Sequence, residues 1–277
     1  MFFQRGFGLA LLGMALAMST DTVMAQQTAS PAAAVVSKGQ ATLDQAAKDG
    51  KFTFVLFYKT NDAATQAMAA TLKAGLASRY DTATAVNIVV GQADEKPIVD
   101  RFDVSRAPMP LTIAIAPNGA ITGMFPQRLT AEGIENSFVT PTMTRCMKSL
   151  QEGKIVFVAV QGTGKAASPA AIADFQADPH FKDRMATYSF AAADPLEGKF
   201  VKQLQMDNGN IPPMTTALLA PPGVLVGKFE PVATKDEIAA ALARAGKCCD
   251  DPNCKHHQQQ PQSTAPRTAS QPTAPRR

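Results

Sequence analysis

The sequence predicts an α/β protein made of two tandem copies of one unit, each a mixed central sheet flanked by helices. Three observations predict it. First, the chain repeats itself. GKFTFVLFYKT at 50–60 returns as GKIVFVAVQGT at 153–163, and APMPLTIAIAPNGAITGMF at 107–125 returns as IPPMTTALLAPPGVLVGKF at 211–229. The offsets, 103 and 104 residues, are nearly constant, so the repeated object is a domain of about a hundred residues rather than a solenoid turn. Second, short β-rich runs alternate with helical patterns, the order that builds a parallel βαβ unit through a right-handed crossover. Third, 277 residues with 45% apolar and 18% charged side chains are enough to form and fill two cores.

Each unit, 38–139 and 140–246, reads in the same order. A helix leads, ATLDQAAKDG in the first and PTMTRCMKSLQEG in the second. A buried strand follows, FTFVLFY and then IVFVAV, rich in the aromatic and β-branched residues that suit a sheet. In the next helix of the first unit, Met68, Leu72, Leu76 and Tyr80 recur every four residues and predict one apolar stripe. In the second, Ser168 and Pro169 predict a capped start, with Ile172 and Phe175 facing inward. TAVNIVV and ATYSFAA are the next strands. Short helices are expected near Asp94 and at Asp194-Pro195, and Asp94, Glu95, Asp100 and Asp103 read as a solvated acidic face. A hairpin follows, LTIAI–APNG–AITGMF and TTALL–APPG–VLVGKF, with turn residues between the runs. A closing helix ends each unit. In the second, Thr234 and Glu237 form a capping box, Ile238 and Leu242 face inward, and Gly246 is the stop.

The flanks differ from this body. Arg5, the apolar run GFGLALLGMALAM and the small residues Val23 and Ala25 predict a signal peptide over 1–25, cleaved after Ala25. That run is too short to span a bilayer, so the expected mature chain is exported, to the periplasm or beyond, and carries no transmembrane segment. Residues 26–37 read as a flexible lead-in. Residues 258–277 are rich in Pro, Gln, Ser and Thr, without bulky apolar side chains, and read as a disordered basic tail. The net charge of +4 lies in Lys255, Arg267, Arg276 and Arg277, while residues 26–254 sum to zero. A neutral body lacks the clustered cations of a nucleic-acid-binding face.

The element order and the hairpin RAPMPLTIAIAPNGAITGMF resemble the thioredoxin-like family. That resemblance, over roughly residues 38–246 in two copies, implies a strand ending in an aromatic, a Cys-x-x-Cys pair at the following helix N-terminus, and a cis-proline before the hairpin. Pro110 is the candidate cis-proline and Pro108 its rival. In the second copy Met214 falls on the matching position, with Pro213 one before. The cysteines are missing: Asp62 and Thr65 occupy their places in the first unit, about Lys165 and Ser168 in the second. A helix N-terminus activates a thiol, so without one neither site can exchange dithiols. Asp62 and Ser168 read instead as helix caps. The resemblance further implies a surface of Tyr58, Asp62, Met109 and Pro110 that holds an extended peptide by main-chain hydrogen bonds.

A second cluster stands outside the repeats. GKCCDDPNCKHH at 246–257 places Cys248, Cys249, Cys254, His256 and His257 within ten residues, a soft set suited to copper or zinc. The alternative is a disulfide, with Cys254 closing on Cys249 or Cys248 in an oxidising compartment and the remaining thiol pairing with Cys146. Cys146 itself lies on an apolar helix face, where a buried thiol is the ordinary reading. Other motifs carry less. GTGKAAS at 162–168 lacks the first glycine and the Ser/Thr of a phosphate loop, and His180 has no nucleophile beside it in sequence.

The expected function is therefore that of an exported, redox-inactive scaffold that binds unidentified proteins or peptides or assists their folding, more a binding protein than an enzyme. Periplasmic metal carriage by the terminal cluster is the alternative. Thiol–disulfide exchange by the tail cysteines is the third reading.

Overall fold

The computed structural model describes residues 37–162, 168–206 and 212–245. The signal peptide, almost all of the lead-in, Lys165, Gly246, the Cys/His cluster and the tail lie outside the described residues.

The first unit runs α1 (Lys38–Lys48), β1 (Phe52–Tyr58), α2 (Ala63–Leu76), β2 (Ala83–Val89), α3 (Lys96–Arg101), β3 (Leu111–Ile115), β4 (Ile121–Pro126) and α4 (Ala131–Ser137). The second runs α5 (Pro141–Gln151), β5 (Ile155–Gln161), α6 (Ala170–Ala177), β6 (Met185–Ala191), a 3-10 turn (Pro195–Glu197), α7 (Gly198–Gln203), β7 (Met214–Ala220), β8 (Val224–Phe229) and α8 (Lys235–Ala245). Each unit has its own four-stranded sheet, in the order β2-β1-β3-β4 and β6-β5-β7-β8. The first two strands of each unit pair in parallel, and the remaining pairings are antiparallel.

Strand pleating divides each core in two. Alternate side chains leave opposite faces of a strand. Val55 and Phe57 thus pack with Leu43 of α1 and Ile98 and Val99 of α3, whereas Phe54 and Leu56 pack with Met68 and Leu72 of α2 and Ile134 of α4. In the second unit Val156, Val158 and Val160 face Cys146, Leu150 and Phe200, while Phe157 faces Ile172, Phe175 and Ile238. The helices of one face approach closely in the first unit: Gly75 of α2 lies against Ile134 of α4, with no room there for a methyl group.

The helix starts follow local chemistry. Ser37, Asp62, Thr130 and Thr140 each accept a main-chain N–H from the first turn of the helix they open. Thr234 and Glu237 form the reciprocal capping box at α8.

Three sequence expectations fail for physical reasons. Tyr80 leaves the apolar stripe: α2 ends at Leu76, the chain turns, and Tyr80 is 71% exposed. Ser168 caps nothing, because Pro169 is itself extended at the N-cap position, without a side-chain acceptor, and α6 begins one residue later. Glu95 is no part of a solvated face. It is buried and accepts the Gly39 N–H at 3.2 and 3.3 Å, closing the N-terminus of α1. Glu197 repeats this in the second unit, accepting the Thr142 N–H of α5 at 2.8 Å.

Candidate functional site at the end of strand β1

The candidate site of the first unit is the sheet end where β1 finishes. Phe57 is paired with Leu111, so Tyr58 and Pro110 are the next residues on two adjacent strands. The Met109–Pro110 peptide is cis. Pro110 is buried, and Tyr58 and Met109 are half-buried. Asp62 follows β1 by four residues and is exposed at the head of α2. The strand pairing and the β1–α2 connection therefore bring Tyr58, Asp62, Met109 and Pro110 to one end of the domain.

Hydrogen bonding separates these residues into occupied and open groups. The Tyr58 carbonyl accepts the Val90 N–H at 2.9 Å, and the Pro110 carbonyl accepts the Gln127 N–H at 2.6 Å. Among the described residues, nothing meets the N–H or the carbonyl of Met109. Its main chain presents one donor and one acceptor beside a proline.

The head of α2 is closed by oxygen rather than sulfur. Asp62 accepts the Thr65 N–H at 2.9 Å and the Thr60 hydroxyl at 3.0 Å. The Thr65 N–H bond, followed by the Thr60 hydroxyl, holds the Asp62 carboxyl below its usual range. Thr65 is buried, and its hydroxyl donates to the Thr60 carbonyl at 2.9 Å. Asp62 and Thr65 thus tie this turn to itself.

The second unit builds the same end differently. Gln161 takes the place of Tyr58, since its carbonyl accepts the Ala192 N–H at 2.7 Å. Here the strand pairing runs one residue further: Gln161 is paired with Met214, and the Pro213 carbonyl accepts the Gly162 N–H at 3.1 Å. Pro213, the counterpart of Met109, has no N–H to offer and its carbonyl is taken.

Among the described residues, no group of three or more His, Cys, Asp or Glu side chains could hold a metal ion. Cys146 is a free thiol in the second core, and burial pushes its pKa up to about 12. A bond from Cys146 to a tail cysteine would need the tail to enter that core, so the expected pairing of Cys146 with a leftover thiol does not fit. His180 is an exposed turn residue whose N–H donates to Asp178.

Comparison with family models and with curated proteins finds no match. Among solved structures, the chain is similar to the zinc-bound form of human ERp44, with a TM-score of 0.32 and 12% identity over 75% of this chain and 55% of that one. It is also similar to a disulphide isomerase from Xylella fastidiosa Temecula1, with a TM-score of 0.28 and 16% identity over 35% of this chain and 82% of that one. A third is the pair of first two thioredoxin domains of Saccharomyces cerevisiae Eps1p, with a TM-score of 0.28 and 11% identity over 74% and 95%. Each unit has the thioredoxin-like fold. Strand order and pairing show this directly: a parallel β1–β2 pair, an antiparallel β3–β4 hairpin on its other side, and helices on both faces. In these thioredoxin-like domains the sequence had hidden Glu95 and Glu197. The available signal was their recurrence at an offset of 102, close to that of the repeat.

Proposed function

We propose that the protein is an exported, redox-inactive binder of extended polypeptides, acting as a scaffold or an aid to folding. The observation that supports it is the open main chain of Met109, set between Tyr58 and the head of α2, where Asp62 and Thr65 replace any thiol. An extended peptide bonds to such a donor–acceptor pair through its own main chain, and side chains on either side supply selectivity. Among the described residues the second unit offers no such pair at Pro213, so we place the binding surface on the first. The signal-like N-terminus supports export to the periplasm or beyond.

The test is a peptide array probed with the purified chain, repeated with Met109→Asp and with Pro213→Asp. Binding should fall at least about tenfold for Met109→Asp and stay for Pro213→Asp, because an aspartate beside the open main chain sets an unpaired charge against the peptide that would seat there. Equal binding by all three proteins would refute the reading. Insulin reduction should stay at background; thiol-dependent turnover would instead favour exchange by the tail cysteines.

A second reading is metal carriage by Cys248, Cys249, Cys254, His256 and His257. Its support is the density of soft ligands in CCDDPNCKHH. Protein isolated reduced and without oxygen should then hold about one copper or zinc per chain, as a single such cluster would, and none after the three cysteines become serine. A disulfide between Cys249 and Cys254 would show instead as a loss of two titratable thiols.

A further inference from the structure

The sheet of the first unit has two edges, and they differ. At β4 the edge is covered by α5 of the second unit. Asn118 Nδ2 donates to the Thr144 carbonyl at 3.0 Å. The Gln151 side chain pairs with β4 like one residue of an added strand. Its Oε1 accepts the Ile121 N–H at 2.9 Å, and its Nε2 donates to the Ile121 carbonyl at 2.7 Å. At β2 the edge is open. The Thr82 carbonyl accepts the Phe52 N–H and the Val90 N–H donates to the Tyr58 carbonyl, both at 2.9 Å. Thr82, Val90 and alternate residues between them therefore turn their main chain toward β1. Ala83, Ala85, Asn87 and Val89 turn theirs outward.

Two of these outward groups are already occupied. The Ala83 N–H donates to the Arg79 carbonyl at 2.8 Å, and the Val89 carbonyl accepts the Gln92 N–H at 3.1 Å. Among the described residues, the Ala83 carbonyl, both groups of Ala85, both of Asn87 and the Val89 N–H have no partner. Nothing in the strand blunts the edge, because ATAVNIV holds no proline and no charge. A cleft of about 680 Å³, lined by Ala69 and Ala70 of α2 and by Ala85 and Asn87, leaves the strand approachable. Lys38 and Lys73 also line it, but they are exposed and stand on helices, so their ammonium groups turn to solvent when a strand arrives.

We propose that β2 pairs antiparallel with β2 of a second copy of this chain, across a two-fold axis at Val86. The open groups are self-complementary in this register, as a two-fold interface requires. Ala85 exchanges both of its bonds with Asn87 of the second copy, and Asn87 does the same with Ala85. Ala83 falls opposite Val89, so the open carbonyl of one meets the open N–H of the other, and the two occupied groups face each other without loss. Every open donor thus meets an open acceptor, and one sheet runs through both copies. Residues 26–254 carry no net charge, so the two bodies meet without long-range repulsion.

The equivalent edge of the second unit does not match itself. There Met185, Thr187, Ser189 and Ala191 face outward, since the Arg184 carbonyl accepts the Ile155 N–H and the Ala192 N–H donates to the Gln161 carbonyl. A two-fold axis at Tyr188 sets Met185 opposite Ala191. The Ala191 carbonyl already accepts the Asp194 N–H at 2.9 Å, whereas the Met185 N–H is unpartnered among the described residues. That pairing leaves a donor of each copy without an open acceptor. In the β2 dimer, by contrast, the antiparallel arrangement sends the two candidate sites, each beside the Tyr58–Val89 pair, to opposite ends of the shared sheet.

Sedimentation equilibrium and amide hydrogen exchange on residues 26–277, over a range of concentrations, test this. The chain should pass from monomer to dimer as concentration rises. Over the same range the Ala85, Asn87 and Val89 N–H groups should slow about tenfold or more, the protection that one or two added hydrogen bonds confer. Thr84, Val86 and Ile88, bonded to β1, should stay slow throughout and report an intact fold. Charge tests the register. Ala85→Lys/Asn87→Lys sets lysine opposite lysine across the axis and should abolish the dimer, whereas Ala85→Lys/Asn87→Asp sets lysine opposite aspartate and should restore it. Both side chains are exposed, so neither double change touches a core. A chain that stays monomeric at every concentration overturns the proposal, as does a dimer that both double variants leave unchanged. So does protection of the outward N–H groups that ignores dilution and vanishes when residues 26–36 are removed, which would give the edge to the chain's own lead-in.

Discussion

The two units share a strand order, a ladder irregularity in the hairpin and a buried glutamate at the start of the leading helix, yet they part at both ends of the sheet. At one end, among the described residues, the first unit leaves Met109 unpaired, whereas the second runs its ladder on through Met214 and Pro213. At the other end the first unit is covered by α5, whereas Val224 of the second is half exposed. The scaffold of a thioredoxin-like domain is thus held constant by its core, while its two ends vary with what they must meet. That asymmetry separates the units: among the described residues the first leaves the Met109 main chain open, and α5 of the second covers the hairpin turn of the first.

The sharpest way to break the comparison is through the cores. Phe54 and Phe157 are equivalent, fully buried side chains that pack against the α2 and α6 sides of their sheets. Phe54→Ala and Phe157→Ala should each cost ~3–5 kcal/mol. Calorimetry should place each loss in the transition of its own unit. If either variant lowers both transitions equally, the units unfold as one body and the division of labour needs a different physical basis.

Next in size are the buried carboxylates. Glu95→Ala or Glu197→Ala leaves a helix N–H without an acceptor, at a cost of ~1–3 kcal/mol. The conservative change separates the two sites. Both oxygens of Glu95 face the Gly39 N–H, whereas among the described residues one oxygen of Glu197 has no partner. Glutamine should therefore be tolerated better at 197 than at 95 in urea denaturation. The reverse order would mean that the free oxygen of Glu197 has a partner such as buried water.

Between the units, Gln151→Ala removes both bonds to Ile121 and should cost ~1–2 kcal/mol, about one per bond. Hydrogen exchange at Ile121 should quicken while Thr112, on the inner strand, stays slow.

Much of this was legible in the sequence because it rests on repetition and periodicity. The strands are β-branched and aromatic runs, and Ile134 and Ile238 fall at matching places in the closing helices. Tyr80 shows the limit. A four-residue spacing continues across a helix end that only the turn at Ala77 to Thr82 reveals. Glu95 shows another: a carboxylate reads as solvated until the fold brings Gly39 to it from 56 residues away. The open main chain of Met109 depends on the β1–β3 pairing and on Gln127, neither of which a residue type announces.

The smallest expected effect concerns the heads of α2 and α6. Asp62 caps the first, whereas Pro169 leaves the second without a side-chain acceptor. Pro169→Asp should supply that acceptor and stabilise the second unit by ~0.5–2 kcal/mol, the usual worth of a cap. Asp62→Ala should weaken the first, and pH should reveal it. The folded state holds the Asp62 carboxyl below its ordinary value, chiefly through the Thr65 N–H. The unfolded chain therefore takes up the proton first as pH falls. The contribution is complete above about pH 4, the ordinary carboxylate value, and is lost as pH drops through the lower folded value. In acid titrations followed by circular dichroism, Asp62→Ala should be less stable than the parent at neutral pH, and the gap should close as pH falls through the lower folded value of Asp62. A constant gap between the two proteins down to that pH would assign the effect of Asp62 to packing rather than to charge at the helix head.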